Sequence, residues 1–160
     1  MLDLSRLKGA ELQRKPVDLV DLTRDVLADY SPLALDQGMD LSLISDCDSP
    51  IMVLGSKEAI RSAIANLVGN ALVHAYGARV IVAQLHQEGA ISICDDGQAV
   101  SHSQSYGPLK PLTRAALKHS GTGLGLSIVR EIMGAHQGRL DITTTPGGGT
   151  TVRLIFNRES

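Results

Sequence analysis

A helix carrying two asparagines constrains this chain more than any other feature. Ile60 to His74 reads Ile-Arg-Ser-Ala-Ile-Ala-Asn-Leu-Val-Gly-Asn-Ala-Leu-Val-His. Apolar residues recur at 60, 64, 67, 68 and 71, the spacing of one buried helical face. Asn66, Asn70 and His74 form a second stripe along the border of that face. Asparagine is a weak helix former. A carboxamide at the edge of a core is costly unless its donors and acceptors are used. The stripe therefore predicts a ligand on that side of the helix.

The surrounding pattern predicts one compact domain over 15–160. Residues 1–14 read as a short amphipathic helix broken at Lys15-Pro16. Because Met1 runs directly into that pattern, the chain reads as a piece of a longer protein. Asp18 is the expected N-cap of a helix to about Asp36, with Leu19, Leu22, Val26 and Leu33 on one face. Pro32 predicts a kink or an early end, and Gln37-Gly38 a stop. Strands are expected at Met39–Ile44 and Ile51–Leu54, and Ser56 should cap the asparagine helix. Arg79–Gln87 and Ala90–Cys94 read as a hairpin turning at Glu88-Gly89. The stretch from Asp95 to Ser120 is polar and contains Pro108 and Pro111. Only Leu112–Leu117 in it could form a helical turn or two. A loop of that length within a compact domain is usually functional. A helix from about Gly125 to His136, ended by Gly138, precedes closing strands at Arg139–Thr145 and Thr150–Asn157. Helices and hairpins in this order predict an α+β fold: a two-layer sandwich, its mixed, mostly antiparallel sheet carrying helices on one face.

Composition removes several function classes. Net charge is −2, and no run of Lys and Arg is longer than Arg14-Lys15, so nothing electrostatic points to nucleic acid or a membrane surface. One Phe, three Tyr and no Trp leave few rings for stacking bases. Cys47 and Cys94 lie far apart without metal-ligand spacing and read as reduced thiols in a cytosolic setting. No apolar run reaches the length of a membrane span.

Two further constellations carry chemistry. In Ile93-Cys94-Asp95-Asp96-Gly97 an apolar strand ends in two acids and a glycine. In isolation a solvated turn is the simpler reading; at the mouth of a pocket, Asp95 could accept a hydrogen bond from an exocyclic amine. In Ser120-Gly121-Thr122-Gly123-Leu124-Gly125-Leu126-Ser127, alternate glycines let backbone N–H groups approach an anion, and the following helix adds its positive end. Neither a Walker loop nor a dinucleotide fingerprint matches this spacing.

Taken in order, Asn66…Asn70, Asp95-x-Gly97 and Gly121-x-Gly123-x-Gly125 resemble the ATP-binding catalytic domain of two-component sensor histidine kinases. That domain belongs to the superfamily shared with gyrase, heat-shock chaperone and mismatch-repair ATPases. Gly134-Ala135-His136-Gln137-Gly138 and Gly148-Gly149-Thr150-Thr151 extend the likeness to the end of the chain, and residues 1–14 resemble the end of the dimerisation hairpin's second helix.

The resemblance implies Mg²⁺ and ATP as cofactors, with Asn70 on the metal and Asn66 and His74 beside the phosphates. Asp95, Gly97 and Thr150 would face the adenine. Gly121, Thr122, Gly123, Leu124, Gly125 and Leu126 would frame a lid over about 97–122. A hard cation such as Mg²⁺ suits carboxamide oxygen. The implied reaction transfers the γ-phosphate to a histidine on a dimerisation domain, with a response regulator as later recipient. None of the five histidines has the Ser/Thr-His-Glu/Asp context of an acceptor, so the chain alone is expected not to phosphorylate itself. The implied setting is a cytoplasmic domain, monomeric or weakly dimeric and without membrane contact of its own, of a parent anchored in the bacterial inner membrane.

Three positions depart from the family pattern. Ala99 replaces a glycine, Val73 stands where a Lys or Arg is frequent, and Tyr106 to Leu112 has no Phe in the lid. These departures motivate one alternative, a degenerate scaffold with weak ATP use. A serine kinase or ATPase of the same superfamily is another.

Overall fold

The computed structural model describes residues 14–74, 79–97, 123–144 and 149–157. The helix expected at 1–14 therefore lies outside the described residues except for Arg14, as do 98–122 (with Gly121 and Thr122) and most of the closing turn. In chain order the elements are β1 (Lys15–Asp18), α1 (Leu19–Asp36), β2 (Asp40–Ser45), β3 (Met52–Gly55) and α2 (Lys57–His74). They continue with β4 (Val80–His86), β5 (Ala90–Asp95), α3 (Gly123–Ala135), β6 (Arg139–Thr144) and β7 (Thr150–Ile155).

Five strands form one sheet in the order β2-β4-β5-β7-β6, and β1 pairs with β3 as a separate antiparallel ribbon. Among the described residues only β2 and β4 run parallel, so the sheet is mixed and mostly antiparallel, as expected. Strand β4 shows why one face is covered. Ile81, Ala83 and Leu85 are buried, while Val80, Val82, Gln84 and His86 between them are half-exposed. The buried face meets Leu22 and Val26 of α1, Ile60 and Ile64 of α2, and Val129 and Ile132 of α3 in one core. Each large aliphatic buried there contributes about 1.5–3 kcal/mol relative to exposure.

The helix ends follow local chemistry. The Asp18 carboxylate caps α1 by accepting from Val20 N at 2.9 Å. Pro32 does not end α1, which runs on to Asp36. The carbonyl one turn earlier that Pro32 leaves without an N–H belongs to exposed Ala28, where water can serve it. Leu33 is 41% exposed rather than buried, and Ala34 is covered in its place. Periodicity fixes a face but not how far the covering surface extends. Here Met39 N bonds back to Ala34 O at 2.9 Å and closes the core at that point. Ser56 Oγ accepts from Ala59 N at 3.3 Å, the expected N-cap of α2.

At the end of α3, Gly138 N bonds to Met133 O at 2.9 Å and Gln137 N to Gly134 O at 3.1 Å, a Schellman closure. The left-handed residue is Gln137, at φ 56°, not the glycine. Gly138 is required for another reason: a Cβ there would meet Ile155 O at 2.5 Å. Gln137→Gly should therefore stabilise the fold by roughly 0.5 kcal/mol, removal of left-handed strain outweighing the greater freedom of the unfolded chain. A urea midpoint that falls in this variant would contradict the assignment of strain.

Candidate nucleotide site

The sheet register assembles one wall. Asp95, the last residue of β5, lies opposite Thr150 at the start of β7, which in turn faces Thr144 at the end of β6. Asp95 Oδ1 accepts from Gly97 N at 3.0 Å, so the carboxylate is fixed by the turn that follows it. Burial pushes its carboxyl above the ordinary carboxylate range; the Gly97 and Thr150 backbone N–H groups oppose that, and the Asp96 charge adds to it. The chain enters β7 through Gly149, at φ 98°. A Cβ on Gly149 would sit 2.4 Å from the Asp95 carbonyl oxygen.

The two neighbouring acids do different work. Asp96 accepts from Val80 N at 3.0 Å and from Arg79 N at 2.8 Å, and these bonds hold its carboxyl below the usual range. It pins the start of β4 to the end of β5, leaving Asp95 as the acid of the wall. The spacing Asp95-x-Gly97 singles out Asp95 in the sequence; what the sequence does not reveal is the task of Asp96, whose backbone partners lie 16 and 17 residues away.

The facing wall is α2, which packs against α1, α3, β4 and β5. Asn66 and Asn70 are both half-buried on it. Asn66 Nδ2 donates to the Ser62 carbonyl at 2.7 Å and lies 3.4 Å from Ser62 Oγ. Part of its polar demand is thus met by its own helix, which sequence spacing alone does not reveal. Only a nitrogen can face that carbonyl, so the carboxamide oxygen of Asn66 is the atom left for a ligand. The Asn70 side chain has no hydrogen-bond partner among the described residues. Val73 is 64% exposed, an apolar side chain where the family resemblance expects a cation. His74 closes α2, its side chain outside the described residues, as is that of Leu124.

The third element is the first turn of α3. Gly123 and Gly125 lie within the helix itself, so of the expected glycine lid the described residues hold the helix start. Leu126 is half-buried against the core. The structure thus joins Asp95, Gly97 and Thr150 directly, and seats Asn66 and Asn70 together on a helix that contacts both β5 and α3.

The donor chemistry bears on a metal. Among the described residues no cluster of three His, Cys, Asp or Glu side chains could hold one. The carboxamides of half-buried Asn66 and Asn70 offer hard oxygen donors, which suit a hard cation that keeps part of its water shell. The residues present fit Mg²⁺ and not a soft metal.

Residues 55–160 match the family described as histidine kinase-, DNA gyrase B-, and HSP90-like ATPase. Among curated relatives, the sensor-like histidine kinase SenX3 of Mycolicibacterium smegmatis is 32% identical over 164 residues, covering 96% of this chain and 42% of that protein. The alginate biosynthesis sensor protein KinB of Pseudomonas aeruginosa is 29% identical over 161 residues, covering 98% of this chain and 27% of that protein. The chain therefore spans well under half the length of these relatives. In fold it resembles the catalytic domain of histidine kinase ThkA, with a TM-score of 0.73, 19% identity, and coverage of 92% of this chain and 97% of that one.

Proposed function

The chain belongs to the histidine kinase-, DNA gyrase B-, and HSP90-like ATPase family, and from that premise we propose that it is the ATP-binding catalytic domain of a sensor histidine kinase. It binds Mg·ATP and presents the γ-phosphate to a histidine on a dimerisation domain of its parent. A response regulator receives the phosphate afterwards, and the domain works on the cytoplasmic side of a membrane-anchored parent. Among the described residues no helix is long and apolar enough to cross a membrane.

The observation that carries this reading is the pairing of a fixed, half-buried Asp95 with Asn70, whose side chain has no partner among the described residues, on the helix over the same strand. Asp95 accepts from the adenine amino group with its remaining lone pairs. Gly97 and Thr150 border the base. Asn70 supplies an oxygen to the metal, Asn66 presents its carboxamide oxygen beside it, and His74 lies near the phosphates. Gly121, Thr122, Gly123, Leu124, Gly125 and Leu126 frame the phosphate side, where the N-terminus of α3 favours negative charge. Mg²⁺, when bound, neutralises phosphate charge. The protein's own part is to position and desolvate, which is most of what phosphoryl transfer asks of it.

Calorimetric titration with ATP tests this. Asn70→Ala should weaken Mg²⁺-dependent binding about tenfold or more while leaving the metal-independent component. Asp95→Ala should weaken ATP and ADP alike, by roughly 10–100-fold, as expected on losing a charge-assisted hydrogen bond of about 1.5–3 kcal/mol. Unchanged affinity in both variants would sink the site. Absence of binding by the unmodified chain at millimolar ATP would favour the degenerate scaffold, for which exposed Val73 is the specific motive.

A further inference from the structure

A groove runs between the C-terminal half of α3 and the start of β6, with a volume of roughly 260 Å³, lined by Arg130, Met133, Gly134, Arg139, Leu140 and Asp141, among others. It lies away from the nucleotide wall. Arg139 faces Ile155, which lies at the same level as Ala90, whereas Thr144, Thr150 and Asp95 share the opposite end of the ladder. Five residues along a strand separate the two levels by about 16 Å.

Three features make this groove receptive. Strand β6 is the last in the sheet order, so among the described residues its outer edge has no strand partner. Such an edge is a template for an added strand. The floor is apolar, from buried Met133 and Leu140, and at exposed Gly134 the helix backbone is bare, with nothing within 4 Å of a Cβ built there. The rims are cationic in a domain that is acidic overall. Arg130 is half-buried without a partner among the described residues, and Arg139 bonds Asp141 at 2.9 Å while remaining largely exposed. Two guanidinium groups against one carboxylate leave a positive excess beside the free edge.

We propose that this groove docks an extended acidic protein segment, which adds to the edge of β6 and carries carboxylates on both of its faces, one toward Arg130 on the helix side and one toward Arg139 on the other. Charge complementarity selects the partner, and the bare helix at Gly134 gives its side chains room. Guanidinium favours carboxylate through its fork of donors.

The test uses the full chain and two fluorescent hexapeptides with valines and polar residues on both strand faces, one with Glu and Asp at the polar positions and one with Lys. The acidic probe should bind saturably, with amide shifts confined to β6 and the second half of α3, and the basic probe should not bind. Arg130→Glu combined with Arg139→Glu should weaken the acidic probe at least tenfold. Gly134→Leu should block it equally while raising the melting temperature, since leucine is the better helix former and its Cβ meets nothing. Because Gly134→Leu is expected to fold, a failure of the charge-reversed protein to fold leaves the proposal testable. No saturable binding, shifts centred on α2, or unchanged affinity in Gly134→Leu would each overturn it.

Discussion

Replacing His136 by alanine is expected to lower the unfolding free energy by about 3–5 kcal/mol, a large fraction of the stability of a domain this size. His136 is only 2% exposed. Its Nε2 accepts from Ser56 N at 3.0 Å, and its Nδ1 donates to Ile132 O at 2.7 Å. A backbone N–H can only donate and a carbonyl can only accept, so the contacts fix the neutral tautomer with its proton on Nδ1. The ring also meets Phe156 edge-on, at 5.9 Å between centroids and 87° between planes. One imidazole thus ties the end of α3 to the residue that caps α2. His136→Phe separates the contributions. It keeps a ring but leaves the Ser56 N–H without its acceptor, for a loss of roughly 1–3 kcal/mol.

The same bond makes stability depend on pH. Burial holds the His136 pKa below its ordinary value, the Ile132 carbonyl opposes this, and the Arg14 charge adds to it. The folded ring therefore resists a proton that the unfolded chain accepts. Its contribution is complete above about pH 6.5 and is lost as pH falls from there through the folded pKa, with a slope of at most about 1.4 kcal/mol per unit for one proton. His86, also lowered by burial, acts in the same sense, and the raised Asp95 in the opposite sense at lower pH. The diagnostic is therefore the difference between the unmodified chain and His136→Phe in urea melts from pH 7.5 to 5. Parallel curves would show that the ring does not titrate against folding.

Gly149→Ala should be nearly as damaging and should also weaken nucleotide binding. At φ 98° any side chain is strained, and the new Cβ would lie 2.4 Å from the Asp95 carbonyl oxygen. Strain of about 1–3 kcal/mol and overpacking of similar size point to a combined loss of roughly 2–5 kcal/mol. Relief requires the start of β7 to draw back from Asp95, which moves the proposed adenine acceptor. Gly38→Ala is the control. It shares the positive φ, at 70°, but nothing lies within 4 Å of its Cβ, so it should lose only about 1 kcal/mol. If both variants melt alike and both keep full ATP affinity, the close approach at Asp95 has no functional meaning.

Much of the architecture was legible because local chemistry and periodicity agree in most elements. Asp18 and Ser56 cap the helices they precede, Gly89 turns the β4–β5 hairpin, and the apolar stripe from Ile60 marks the buried face of α2. What could not be read depends on distant partners. Nothing near residues 15–18 signals that they pair with 52–55, nor near 40–45 that they run parallel to 80–85. Of the proposed site, the order of motifs points to the asparagine helix and the Asp95 turn. The turning of Asn66 onto Ser62 and the different work of Asp96 are settled by geometry. In the sequence His136 marks the close of a helix. Its spacing after Val129, Ile132 and Met133 is that of a buried face, a signal sufficient to place it in the core.

Strands β5 and β7 are neighbours in the sheet, yet the whole of α3 and the segment 98–122 come between them in sequence. Their ladder does not set how long that connection must be. The entropy of closing a loop grows only logarithmically, by about 0.6 kcal/mol for each doubling of length. Its two ends are fixed by the bond from Gly97 to Asp95 and by α3 in the core, and neither anchor depends on the number of residues between them. Under the proposed function that connection borders the phosphates, so its length can change without altering the contacts that hold the scaffold together. Tuning of the proposed phosphate side and stability of the scaffold are then inherited on separable stretches of sequence.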